Sequence, residues 1–170
     1  MYELTKSKYC RGLQCPKILW LDEHHPEFGE NIANKSVLDN GTKVGELARS
    51  YFGECELVGF DANKNEMVDR TRKLMETADN IAEASFCYES LFCSIDILHR
   101  NDDGWDLVEV KSSTEVSEIY LEDVAFQYYV LTMCEVPVKG VYILYIDNTY
   151  VRGEQLDLKG LFVLEECTDM

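Results

Sequence analysis

The chain has 170 residues, 46% of them hydrophobic, with three prolines; it is long enough to bury a sizeable core and too apolar to be disordered. Its formal net charge of −16 argues against loose binding of polyanions over the whole surface. No run of about 18 apolar residues is present, and the opening Met1-Tyr2-Glu3-Leu4-Thr5-Lys6-Ser7-Lys8 has no apolar signal-peptide centre, so a cytoplasmic protein without a membrane partner is expected.

Residues 4–14 read as a short helix capped by Thr5 or Ser7, and Pro16 starts a second helix carrying Ile18, Leu19, Trp20 and Leu21. Lys6, Lys8, Arg11 and Lys17 fall in this stretch with no acid between them, a candidate phosphate-contacting surface. Lys64, Arg70, Arg72 and Lys73 form a second basic group; both groups also read as ordinary solvated helix faces. Residues 22–37 are polar and expected to be loop. His24-His25 sit there beside Glu23 and Glu27 without helical spacing, which reads as an exposed acidic loop before it reads as a metal site.

Residues 40–52 are expected to be helical, with Val44, Leu47, Ala48, Tyr51 and Phe52 recurring at three and four and Glu46 embedded among them. A short strand over 56–60 follows, then an amphipathic helix over 64–79 with Met67, Val68, Thr71, Leu74 and Met75 on one face. Strands are predicted at 81–88, 91–100 and 105–112, a helix at 119–134, and strands at 138–146 and 161–165. On that last helix Tyr120, Val124, Gln127 and Leu131 share a face. The order gives an α/β or α+β fold with a mixed central sheet flanked by helices, entered by a right-handed crossover. No Gly-rich loop follows any strand, so a nucleotide cofactor has little support. The expected organisation is one domain over 1–170, with a helical segment and loop at 1–37 and a core at 38–166; the chain could be part of a longer protein with further domains or subunits.

Seven cysteines are scattered at 10, 15, 55, 87, 93, 134 and 167, an odd number with no Cys-x-x-Cys pair, so no disulfide framework is expected. Cys87 and Cys93 lie in predicted strands and read as small core residues.

The sharpest feature lies between the second and third predicted strands. Apolar-rich runs flank Asn101-Asp102-Asp103-Gly104, a hairpin signal. With the turn centred on Asp102-Asp103, Asp96 falls directly opposite Glu109, and Lys111 shares the face of Glu109. Opposed like charges destabilise a strand pair, and two carboxylates between Ile95, Ile97, Val108 and Val110 call for a cation, of which a divalent metal is the usual one. The alternative is a solvated face with Lys111 neutralising Glu109.

The ordered set Asp96, then Glu109-x-Lys111 on the next strand, then a helix carrying Gln127, resembles the PD-(D/E)XK nuclease superfamily. It is most similar to the RecB-like branch, which includes CRISPR-adaptation nucleases and phage-type exonucleases. The opening residues 4–21 are also similar to the start of an uncharacterised RecB-nuclease-like bacterial family. The resemblance implies a restriction-endonuclease-like fold and a Mg²⁺- or Mn²⁺-dependent deoxyribonuclease, more exonuclease than endonuclease, in DNA repair, recombination or defence. Its metal ligands would be Asp96, Glu109, the carbonyl of Val110 and the helix acid Glu46, with Lys111 and Gln127 positioning water or stabilising charge. Many members carry a helix His where this chain has Gly45, and a Gln-x-x-x-Tyr where Gln127 is followed by Tyr128, Tyr129, Val130 and Leu131. Some members hold an iron–sulfur cluster with one cysteine before the core and three after it. Cys10 or Cys15 could be the first, but Cys167 alone lies beyond the last predicted strand. The other readings of the chain are a catalytically silent nucleic-acid-binding or protein-interaction module on the same fold and a metal-dependent hydrolase of a smaller phosphoester.

Overall fold

The computed structural model describes residues 4–28 and 35–168. Among them are seven strands in one mixed sheet and six α-helices, an α+β fold. The chain runs β1 (Leu4–Thr5), α1 (Lys6–Gln14), α2 (Pro16–His24), α3 (Lys35–Ala48), β2 (Glu56–Leu57), α4 (Lys64–Leu74), β3 (Asn80–Tyr88), β4 (Leu91–Asn101), β5 (Gly104–Lys111), α5 (Glu118–Met133), β6 (Val138–Ile146), α6 (Leu158–Leu161) and β7 (Phe162–Glu166). The sheet order is β2-β3-β4-β5-β6-β7, with β1 paired to β4 off that path. β3, β4 and β5 form an antiparallel meander, β5 and β6 run parallel across the α5 crossover, and β7 returns antiparallel.

β3 to β7 and α5 stand close to their expected bounds; α4 stops at Leu74 rather than running to 79, β2 is two residues rather than five, and the first third differs further. A two-residue strand precedes α1, which Thr5 caps by accepting from the Lys8 N–H at 3.3 Å. α2 continues to His24 and a 3-10 turn follows at Pro26–Phe28, inside the expected loop; residues 29–34 of that loop lie outside the described residues. α3 starts at Lys35 and stops at Ala48, because the chain turns through Gly53 at φ +105°, a conformation glycine adopts without a Cβ clash. Tyr51 and Phe52 thereby leave the helix and pack edge-on with each other, Tyr51 also meeting Phe162.

Two apolar layers cover the two sheet faces. On one, Ile81, Phe86, Ile95, Leu98, Leu107 and Ile143 pack with Val124, Val130 and Leu131 of α5 and Met67 of α4. On the other, Ile97, Val108, Leu144 and Phe162 pack with Ala48 and Val44 of α3. Leu98, Leu107, Ile143 and Leu131 are each fully buried, and truncating any of them to Ala costs about 2–5 kcal/mol.

The β4–β5 hairpin takes the expected register. Ile97 pairs with Val108, His99 with Asp106, and Asn101 with Gly104 across the two-residue turn. A Cβ on Gly104 would come within 2.2 Å of the Pro137 carbonyl oxygen, so only glycine lets the α5–β6 connection approach here. One edge of β4 is shared between two partners: β1 pairs with Leu91 and Phe92, and β5 takes over from Ile97 onward. Residues 93–96 lie between those two ladders. On the other edge the β3 pairs skip the match of Glu83 with Asp96, and Glu83 has φ +59°. Ile81 and Ala84, like Ile95 and Leu98, are three residues apart yet join the same core layer, so side-chain alternation breaks at these two acids. A non-glycine residue held left-handed costs about 1–3 kcal/mol.

Candidate functional site

The site grows out of this break. The strict ladder between β4 and β5 ends at Ile97↔Val108, and the next step is made by a side chain: the Val110 N–H donates to Asp96 Oδ2 at 2.8 Å. The Asp96 carboxylate thus substitutes for a backbone acceptor and holds the opened strands together. It also lines a surface cavity of about 310 Å³ with Lys6, Lys64 and Glu83.

Glu109 points toward α5 and is 2% exposed. Both its oxygens are satisfied by side chains. Lys111 Nζ donates to Oε1 at 2.7 Å, Gln127 Nε2 donates to Oε2 at 2.8 Å, and Lys6 Nζ spans both oxygens at 3.0 and 3.1 Å. Asp123, one turn before Gln127 on α5, is a second buried acid beside the half-buried Asp96. It accepts from Lys111 at 2.5 Å and from Gln127 at 3.0 Å, and lies 3.7 Å from Lys6. Donating to two carboxylates fixes the orientation of the Gln127 amide and leaves its buried Oε1 without a protein partner. An unmet buried acceptor costs about 1–3 kcal/mol.

Three carboxylates and two ammoniums therefore share one low-dielectric centre. Burial, then repulsion from Glu109, pushes Asp96 up to about 7 against the pull of Lys6 and Lys111. Burial would raise Glu109 as well, but the attraction of Lys6 and Lys111 and their hydrogen bonds overcome it and hold Glu109 below the usual carboxylate range. Burial, then Glu109, raises Asp123. For Lys6 and Lys111 burial favours the neutral amine, and the surrounding carboxylates outweigh it, so both are raised and remain ammoniums at neutral pH.

Lys6 reaches this centre from the far end of the chain, and three anchors bring it there. β1 pairs with the start of β4, the Leu4 N–H donates to the Ser90 carbonyl at 3.1 Å, and Tyr9 of α1 stacks on Phe126 of α5 at 4.8 Å.

Asp96, Glu109, Val110, Lys111 and Gln127 are thus brought together. Glu46 is not: it is exposed on α3, with no hydrogen bond or ion pair to them among the described residues. Of the N-terminal basic residues, Lys6 lies on Glu109, Lys8 donates to Glu23 at 2.7 Å, Arg11 is bidentate on Asp22 at 2.6 and 2.7 Å, and Lys17 is exposed on α2. His25 meets Glu27 at 3.0 Å, and Trp20 packs on both histidines. Cys10 and Cys15 are partly exposed on the N-terminal helices, whereas Cys167 is buried beside β6, its N–H donating to the Val141 carbonyl. Sequence reasoning missed Asp123, whose i, i+4 spacing to Gln127 was the available signal. It also missed Glu83, facing Asp96 in register and ion-paired to Arg49 at 3.3 Å.

The donor set of Asp96, Glu109 and the Val110 carbonyl is all hard oxygen, the kind Mg²⁺ and Mn²⁺ take. The Lys6 ammonium bridging Glu109 stands in for a cation there, so these residues fit one. Among the described residues no group of three or more His, Cys, Asp or Glu side chains is arranged to hold a metal ion. No helix among them is long and apolar enough to cross a membrane. The chain matches no protein-family model and no curated protein.

Proposed function

We propose that this chain is a metal-dependent deoxyribonuclease of the PD-(D/E)XK superfamily, RecB-like branch, hydrolysing DNA phosphodiesters with a preference for ends. The observation that carries the reading is the convergence of Asp96, Glu109, Lys111 and Gln127 at a break in the sheet that opens onto a surface cavity. Asp96, Glu109 and the Val110 carbonyl would hold Mg²⁺ or Mn²⁺, which when bound supplies Lewis-acid stabilisation of charge on the phosphoryl oxygens.

The chain's own residues supply the rest. A water oxygen attacks phosphorus and passes its proton to a neighbouring water, the bond to the leaving sugar oxygen breaks and that oxygen takes a proton from solvent, and negative charge develops on the non-bridging phosphoryl oxygens and the leaving oxygen in between. Lys111, held as an ammonium by Glu109 and Asp123, cannot act as a base; it faces that developing charge and stabilises it. Gln127 fixes the Glu109 carboxylate from behind, and Asp123 clamps Lys111, so the charged groups need little reorganisation during the reaction.

The test is cleavage of end-labelled linear DNA and closed circular DNA with Mn²⁺, with Mg²⁺ and with EDTA, beside a Glu109→Ala, Lys111→Ala protein. Metal-dependent cutting that the double variant loses supports the reading, and cutting confined to linear DNA assigns an exonuclease. A folded protein that binds Mn²⁺ and cuts nothing overturns it in favour of a silent binding module. One observation favours that second reading: Lys6 and Lys111 already neutralise Glu109 without any added cation.

A further inference from the structure

The cavity beside Asp96 does not end there. Its lining residues Lys64, Glu83, Phe92 and Ser94 also line a second cavity of about 340 Å³, whose far wall is Arg49, Leu57, Gly59 and Phe60. The two are one groove, running from Asp96 at the sheet break to Phe60 at the β2–α4 loop.

Its chemistry is mixed in a particular way. Phe60 is 87% exposed, with Leu57 half-exposed near it. The loop bearing Phe60 is pinned: Arg70 donates to Asp61 at 3.1 Å, the Asn63 N–H donates to Asp61 at 2.9 Å, and the Val58 N–H donates to the Ala82 carbonyl at 3.0 Å. Gly59 at φ +72° makes the turn that presents the ring. A phenyl ring held in water on a fixed loop is a platform for a flat, apolar partner. The groove's cations follow from it: Arg49 paired with Glu83, Lys64 over the Phe92 ring at 4.5 Å, and Lys6 at the inner end. Lys8 stands near Lys64; burial first, then the Lys8 charge, lowers the Lys64 pKa.

We infer that this groove binds a single strand of DNA, with a base stacked on Phe60, backbone phosphates on Arg49 and Lys64, and the strand leading to Asp96. A ring presented on a surface stacks most readily on an unstacked base, since a duplex covers every base face except those of its terminal pairs. A short row of cations in a chain of net charge −16 suits one phosphate backbone and repels a second. Arg49 would exchange Glu83 for a phosphate, and the groove's two acids, Glu83 and Asp96, lie at or near the sheet break. The inference rests on the nuclease reading for what happens at the Asp96 end.

The experiment is fluorescence anisotropy of labelled dT12 and of a 12-bp duplex at low salt in EDTA, where metal-dependent cutting is off, for wild type, Phe60→Ala, Arg49→Gln/Lys64→Gln and Trp20→Ala. Base–aromatic stacking lost at one residue weakens binding at least about fivefold. The expected result is tighter binding of dT12 than of duplex, a fivefold or greater loss in Phe60→Ala, a loss and a shallower salt dependence in the double variant, and no change in Trp20→Ala, an exposed aromatic outside the groove. Equal binding of duplex and dT12, no dT12 binding by wild type, or wild-type affinity in both groove variants would overturn the inference. The two readings separate. Groove-dependent dT12 binding without cutting in Mn²⁺ sinks the nuclease and keeps the groove; cutting that survives intact in both groove variants does the reverse.

Discussion

The two halves of the β4–β5 hairpin are built on the same strands and solve opposite problems. Toward the turn, Ile97, Leu98, Leu107 and Val108 alternate between two apolar layers and every step is a backbone ladder pair. Toward the open end, Asp96, Glu109 and Lys111 bring charge to the same positions, the ladder stops, and side chains take over the bonding. Burial energy holds the first half. The second is held by matched charges in a low dielectric, which tolerate no missing partner.

The largest test of this contrast is Glu109→Ala. It takes from Lys6 its hydrogen-bond partner and leaves both ammoniums and the Gln127 amide to Asp123 alone, and should lower unfolding stability in urea by about 3–5 kcal/mol. A loss under about 1 kcal/mol would show that the charged half is not anchored as described. Next is Asp96→Asn in metal-free protein. The folded carboxyl sits near 7 rather than 3.8, so the protonated form is favoured by folding. Its contribution is fully present below pH 3.8 and is lost as pH rises toward 7. The Asn variant should be more stable than wild type at pH 8, by on the order of 1–2 kcal/mol after allowing for solvent screening. The gap should close at pH 4; a pH-independent gap would contradict the assignment.

Lys6→Met removes the ammonium from Glu109 and should tighten Mn²⁺ binding about tenfold, ~1.4 kcal/mol, read by electron paramagnetic resonance of free Mn²⁺. Unchanged or weaker binding would mean that Lys6 and the metal do not compete. The smallest effect belongs to the turn half. Asn101→Ala loses the bond to Asp106 at 2.6 Å and the one from the Asp103 N–H at 3.0 Å, about 1 kcal/mol. It should leave Mn²⁺ affinity untouched, and a change there would mean the two halves are coupled.

The hairpin was legible because its signals are local. Asp-Asp-Gly between alternating apolar runs set the register that the pairs from Ile97↔Val108 to the turn show; one step beyond, where Asp96 was expected opposite Glu109, the ladder stops and the Asp96 carboxylate bonds the Val110 N–H instead. β3 to β7 and α5 were legible for the same reason, whereas β1, a two-residue strand made only by pairing with β4, was read as part of the first helix. What stayed hidden depends on contacts far apart in sequence. Lys6 read as a surface charge in a basic run, and nothing near it announces a carboxylate 103 residues away. Glu83 read as one more strand residue, because a left-handed φ in a glutamate leaves no mark in hydrophobic periodicity. Asp123 was passed over because α5 is apolar nearly all round, and an acid turned inward looks like one turned out. The boundaries of α3 moved because Tyr51 and Phe52 suit a helix by spacing, yet the turn at Gly53 sets Tyr51 against Phe162 and Phe52 on His99.

The placement of Lys6 also bears on how the protein is made. Residues 4–6 are synthesised well before their partners Leu91, Phe92, Glu109 and Asp123. This segment therefore cannot dock until β4 has been synthesised, and the charged centre is complete only once α5 brings Asp123 and Gln127, a long-range, loop-closing step. A nascent chain halted before α5 would have Lys6 and Lys111 on Glu109 but neither Asp123 nor Gln127 to complete the set, so the charged centre closes only when the strand meander and its crossover helix are both in place.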